Sequence, residues 1–172
     1  AVNRPSFFQR IDMLDFGTAP LKPEKIKTIE LNYTGQLSPK FQIGFSIFHN
    51  MLDKLIYRSQ FFVDGQYFNS FANVGEMTTT GFEGNVMVKP SKSFQMELSA
   101  TYNDTKDKRA GFEDITVGYA PKFLGYLKAS YFFNKDISFA ITGNYVGKME
   151  SFYDGTIGDR LGNEVDGYFL LG

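Results

Sequence analysis

His49 is the only histidine in a chain of 172 residues that carries no cysteine. A nucleophilic triad or a histidine-based metal centre needs partners that this composition does not supply. His49 therefore reads as part of a strand wall. Asp104, Asp107, Glu113 and Asp114 share one stretch and carry oxygens of the kind that hold calcium. Their spacing lacks the alternating ligands, central glycine and closing glutamate of an EF-hand loop, so a solvated charged loop is the simpler reading. Gly155, Gly158 and Gly162 lie in a loop with no helix after it to receive a phosphate, and they read as turn glycines. Glu30, Glu83 and Glu97 offer carboxylate pairs of a glycosidase type, but each sits on the polar side of an alternating strand. No catalytic residue, metal or cofactor is expected, and the chain does not read as an enzyme.

The elements that carry these residues are strands. Phe94, Met96, Leu98, Ala100 and Tyr102 alternate with Gln95, Glu97, Ser99, Thr101 and Asn103. That gives one apolar and one polar face over the length of a tilted membrane-crossing strand. Ile29, Leu31 and Tyr33 repeat the pattern, as do Phe41, Ile43, Phe45 and Ile47, then Phe82, Val86 and Val88, then Ile137, Phe139, Ile141 and Tyr145. The stretch 122–133 is mixed: Phe123, Leu127, Ala129, Tyr131 and Phe133 share a face, while Leu124, Tyr126 and Phe132 fall on the other.

The connections alternate as well. Short polar turns are expected at Leu37-Ser38-Pro39, Pro90-Ser91-Lys92 and Asn134-Lys135-Asp136, and longer links at 60–67, 104–121 and 149–166. Seven strands are predicted at 25–36, 40–59, 68–89, 93–103, 122–133, 137–148 and 166–172, with a leading loop over 1–24. Short turns on one side and long loops on the other are the layout of an outer-membrane barrel. Tyr33, Phe41, Phe94, Phe133 and Tyr145 stand near strand ends, where aromatic girdles sit. A small water-soluble β-barrel shows the same period, because antiparallel sheets with one wet face alternate in the same way.

Composition narrows the field. The net charge of -1 gives no basic footprint for nucleic acid. The chain has 19 Phe, 10 Tyr, 17 Gly and no Trp, which favours strands joined by turns. No stretch approaches the roughly 20 apolar residues of a spanning helix. With neither an initiator methionine nor a signal peptide at Ala1, the sequence reads as an internal segment of a longer protein.

Several motifs carry a family likeness. Leu21-Lys22-Pro23-Glu24-Lys25, followed by Ile29-Glu30-Leu31-Asn32-Tyr33, resembles the "L-K-P-E … E-L-G-Y" segment of TonB-dependent receptors. Arg4-Pro5-Ser6-Phe7 resembles the family's "R-x-P-S-F" element. Phe45-Ser46-Ile47-Phe48 with Leu55-Ile56 resembles the next strand. Phe71-Ala72-Asn73-Val74-Gly75 with Thr79-Thr80-Gly81-Phe82-Glu83 resembles "N-x-G … T-x-G-x-E". Leu98-Ser99-Ala100-Thr101-Tyr102 and Gly167-Tyr168-Phe169-Leu170-Leu171 resemble strands further on.

The resemblance implies an all-β, antiparallel, up-and-down fold that is part of a transmembrane barrel of about 22 strands, with a plug inside it. It implies residence in the bacterial outer membrane, contact with its lipid, and import of an iron chelate or similar scarce nutrient energised through TonB. This chain holds about seven of those strands and neither plug nor TonB box. By itself it is expected to be inactive and to self-associate through open edges and faces. A porin or adhesin barrel is the rival within the membrane. Loops on a rigid scaffold carry specificity. Tyr57, Arg58, Tyr67, Arg109, Tyr119, Tyr153 and Arg160, with Phe61 and Phe112, are the loop residues suited to stack on or pair with an anionic chelate.

Overall fold

In the computed structural model, residues 2–6, 9, 20–63 and 65–172 are described. Phe7, most of the leading loop over 1–24 and the side chain of Phe61 lie outside them. The strands are β1 (Val2–Asn3), β2 (Glu24–Ser38), β3 (Phe41–Val63), β4 (Gln66–Ser91), β5 (Phe94–Asp107), β6 (Phe123–Phe132), β7 (Ser138–Val146), β8 (Phe152–Asp154), β9 (Asp159–Leu161) and β10 (Tyr168–Leu171). Eight of them form one sheet in the order β1-β2-β3-β4-β5-β6-β7-β10, and β8 and β9 form a separate hairpin. Sheet order follows chain order, so the architecture is the all-β antiparallel meander that the alternation predicts. No helix among the described residues is long and apolar enough to cross a membrane.

Two compact units divide the chain. The first holds residues 1–28, 50–78 and 106–115, and the second holds 29–49, 79–105 and 116–172.

The second unit shows why the period is two. Phe94 pairs with Tyr131, Met96 with Ala129, Leu98 with Leu127, Ala100 with Gly125 and Tyr102 with Phe123. Ala129 then pairs with Ile141, Tyr131 with Phe139 and Gly125 with Tyr145. Tyr145 pairs with Phe169 and Gly143 with Leu171. Directly opposed residues share a face, so these positions make one continuous apolar surface. The other face carries Gln95, Glu97, Ser99 and Thr101 opposite Ser130, Lys128, Tyr126 and Leu124. The mixed reading of 122–133 is thus the observed one.

The apolar surface is open: Leu98 is 49% exposed, Phe139 62% and Leu171 74%. Rings on it lie over glycines. A Cβ at Gly35 would come 2.4 Å from the Tyr33 hydroxyl, and one at Gly143 would come 2.6 Å from Phe169 Cζ. Tyr33 and Phe45 meet at 5.3 Å between centroids, and Phe123 and Tyr145 at 5.9 Å.

Several predicted boundaries move. The link at 60–67 is strand up to Val63 and again from Gln66. β5 runs on to Asp107 rather than ending at 103. Beyond Tyr102 both faces turn polar (Asn103, Asp104, Thr105, Lys106), so the hydrophobic signal stops while the backbone keeps pairing. Val117 N–H donates to Thr105 O at 3.0 Å and Asp107 N–H to Ile115 O at 2.9 Å. The link at 149–166 contains the hairpin β8–β9, too short for periodicity to register. The first two tight turns shift one or two residues, to 39–40 and 92–93. The third stays in place, with Asn134 Oδ1 accepting from the amides of Asp136 and Ile137 at 2.9 Å each.

Candidate functional site

In the first unit the site is built on a defect in β3. Lys54 has φ +60, a left-handed conformation that costs a non-glycine residue of order 1–3 kcal/mol. The Asn73 amide on β4 holds it in place. Asn73 Nδ2 donates to Lys54 O at 2.7 Å and to Lys22 O at 2.8 Å, and Asn73 Oδ1 accepts from Lys22 N–H at 2.6 Å. One side chain therefore pairs with both backbone groups of Lys22, as a neighbouring strand would. Glu24 follows: Oε1 accepts from Ile56 N–H at 2.8 Å and Oε2 from Asn3 Nδ2 at 2.7 Å. The Leu21-Lys22-Pro23-Glu24 motif is thus a polar seam between chain segments.

Two residues past Asn73, Gly75 provides the seat for Tyr57. A Cβ there would stand 2.3 Å from Tyr57 Cε2 and 2.4 Å from Leu55 Cβ. The Tyr57 ring lies 4.5 Å from the Arg109 guanidinium carbon, and Phe112 lies 4.1 Å from it. Asp107 grips the same guanidinium. Arg109 Nε donates to Oδ1 at 3.0 Å and to Oδ2 at 2.8 Å, and Nη2 donates to Oδ2 at 2.5 Å. The Asp107 side chain is 7% exposed and that of Arg109 24%. A buried carboxylate of this kind is tolerated because it is paired and hydrogen-bonded.

The loop around the pair is closed on itself. Asp114 N–H donates to Asp107 O at 2.9 Å, Phe112 N–H to Arg109 O at 2.9 Å, and Lys108 N–H to Glu76 O on β4 at 2.9 Å. Lys108 Nζ donates to the Asp114 carboxylate. That hydrogen bond and the lysine charge hold the Asp114 carboxyl below its ordinary range. Asp107 and Asp114 are thus both engaged by cationic side chains, and no acidic cluster suited to a metal occurs among the described residues.

The second unit carries another group. Tyr153 stands opposite Arg160 in β8–β9. Arg160 Nη2 donates to Thr116 O at 3.0 Å, Nη1 donates to Ser151 O, and Nε lies 3.6 Å from Glu150 Oε2. Tyr119 N–H donates to Glu150 O at 2.7 Å. The Lys148 ammonium is held above its ordinary range by the Glu164 carboxylate, 2.5 Å away. On the polar face of this unit an open hollow of about 380 Å³ is lined by Asn32, Gly44, Ser46, Glu83, Asn85 and Ser99 among others. Glu30 Oε1 accepts from the Ser46 hydroxyl at 2.8 Å on the same face. His49 Nδ1 meets the Thr80 hydroxyl at 2.8 Å.

The seven expected contact residues therefore fall in two groups. Tyr57, Arg58, Tyr67 and Arg109 are in the first unit, and Tyr119, Tyr153 and Arg160 are in the second. The structure brings Tyr57 and Arg109 together, and likewise Tyr153 and Arg160. Tyr67 is 69% exposed and meets Phe62 at 4.9 Å between ring centroids, tilted by 52°. Arg58 is exposed beside Tyr57. Asp107, Asn73 and Gly75 were not anticipated as site residues. An acid two residues before an arginine, and the Asn-Val-Gly step, are the local signals that point to them.

The family described as TonB dependent receptor-like, beta-barrel, matches residues 1–172. The chain belongs to this family. No curated protein matches it in sequence. Among solved structures, this TonB-dependent barrel chain resembles the ferric-catecholate import receptor Fiu from Escherichia coli K12, at 22% identity over 88% of the chain and TM-score 0.63. It resembles the copper transporter OprC at 15% identity over 99% of the chain and TM-score 0.73. It also resembles the ferric enterobactin receptor PfeA from Pseudomonas aeruginosa, solved as a mutant with enterobactin, at 19% identity over 88% of the chain and TM-score 0.73. The chain covers 21%, 26% and 23% of those three proteins. These likenesses establish the fold.

Proposed function

We propose that the full-length protein is a bacterial outer-membrane receptor that imports a scarce nutrient, such as an iron–siderophore complex, with energy delivered through TonB. Membership of the TonB-dependent receptor family over the whole chain is the observation that carries this reading. The open apolar face supports contact with outer-membrane lipid, because a surface this large needs a nonpolar environment. The eight-stranded sheet of this chain forms part of the barrel wall, and the plug through which TonB acts lies elsewhere in the protein. The polar face, with Glu30, Glu83 and Glu97, turns to the lumen.

Ligand contact falls to the loop residues Tyr57, Arg58, Tyr67, Arg109, Tyr119, Tyr153 and Arg160. Asp107 already takes up the charge of Arg109, and backbone carbonyls occupy Arg160. Arg58 and Tyr67, both exposed, therefore present the freest groups for an anionic, aromatic-bearing chelate. No chemistry on the ligand is required of any residue; the protein is a receptor and not an enzyme. The isolated chain, with its apolar face uncovered, associates with itself in water.

The test is uptake of radiolabelled ferric catecholate and ferric hydroxamate chelates by cells whose only such receptor is the full-length protein. Accumulation of one of them that disappears when TonB is deleted is the expected result. Passage of small solutes that is indifferent to TonB would replace this reading with that of a passive porin.

A further inference from the structure

We infer that the 107–115 loop is a strap latched to β3 by a stacked ion pair, and that Tyr57 is the catch. Its stem leaves β5, and its first amide beyond the stem, Lys108 N–H, bonds to Glu76 O on β4. Arg109 then reaches past β4 to a ring on β3, which is not a sheet neighbour of β5. Three costly features converge on that contact: the left-handed Lys54 on β3, the glycine at 75 in the middle of a strand, and the nearly buried Asp107. A strand glycine admits a group that any other residue would exclude. Here the left-handed Lys54 precedes Tyr57 by three residues and Gly75 makes room for its ring.

The latch is chemically specific. Asp107 accepts from Nε and Nη2 of Arg109, which fixes the plane of the guanidinium, and Tyr57 and Phe112 then bear on it. A lysine in this place keeps the charge but has neither the planar fork nor the stacking face. Asp107 is thus a positioning residue: it orients Arg109, and Arg109 holds the strap to β3. Opening the strap requires the stack on Tyr57 and the Lys108–Glu76 backbone bond to break together. The inference stands on the geometry of the first unit alone and holds or fails whether or not the protein carries an iron chelate.

Hydrogen–deuterium exchange on the full-length protein in detergent tests it, read at the amides of Lys108 and Asp114. Tyr57→Leu removes the catch without touching the loop, and Arg109→Lys keeps the charge while removing the fork. Both variants are expected to speed exchange at Lys108 by at least tenfold and to leave the amides of β6 and β7 unchanged. Wild-type exchange at Lys108 in both variants would overturn the latch and leave the loop held by its own hairpin bonds. Faster exchange in Arg109→Lys but not in Tyr57→Leu would overturn the role of the ring.

Discussion

Leu98→Arg distinguishes a lipid-facing sheet from a water-facing one. Leu98 is the midpoint of the apolar row from Phe94 to Tyr102, four residues from each aromatic end, and opposes Leu127 on β6. Eight steps along a strand span about 26 Å, or about 20 Å along the membrane normal at a tilt near 40°. This places Leu98 close to the midplane of the apolar band. An arginine on the lipid face at that depth costs about 2–4 kcal/mol. In a water-facing sheet the same side chain, already 49% exposed, could be exchanged for arginine within about 0.5 kcal/mol. Ser99→Arg is the internal control, because Ser99 sits one residue further on and faces the polar side opposite Tyr126. The assay is reversible urea unfolding of the full-length protein in phosphatidylcholine vesicles. A loss of at least about 1.5 kcal/mol for Leu98→Arg beyond that for Ser99→Arg is expected. Equal losses within about 0.5 kcal/mol would refute the assignment of the two faces, and with it the membrane reading.

Three other outcomes follow from the geometry. Gly75→Ala places a methyl against Leu55 Cβ as well as the Tyr57 ring, and should lower stability by about 1–3 kcal/mol in the same urea titration. The Asp114 carboxyl is held below its ordinary value of 3.8, so its contribution to closing the loop is complete above that value and fades as pH falls below it. Amide exchange at Asp114, corrected for intrinsic rates, should therefore be slower at pH 5 than at pH 3, and no difference would remove the Lys108 bond from the account. Arg160→Ala leaves the carbonyls of Thr116 and Ser151 without their donor, at about 1–3 kcal/mol of local stability, and protease cleavage in the 154–158 turn should accelerate.

Strand identity was legible because one physical fact generates it. A sheet with unlike faces writes itself as alternation, and the rows from Phe94 to Tyr102 and from Phe123 to Tyr131 read correctly for that reason. The reading ended where both faces become polar, at Asn103, although backbone pairing continued to Asp107. The hairpin of β8 and β9 escaped because three residues a side carry no period. Among site residues, Tyr57 and Arg109 were recognisable by type, but their meeting was not, since 52 positions separate them and the seat for Tyr57 is a glycine on another strand. Asp107 was visible only as one acid among four. Its burial, which makes it the anchor of the loop, depends on neighbours that composition does not name.

The rings that lie over glycines bear on how this surface can change over generations. The end of the Phe169 ring occupies the space that a Cβ at Gly143 would fill. A methyl at position 143 would push the end of the Phe169 ring aside, so the two positions are expected to constrain each other's choice of side chain. Tyr33 with Gly35 forms a second such linked pair on the same surface. A face whose outward requirement is only to be greasy thus carries paired sites within otherwise permissive sequence.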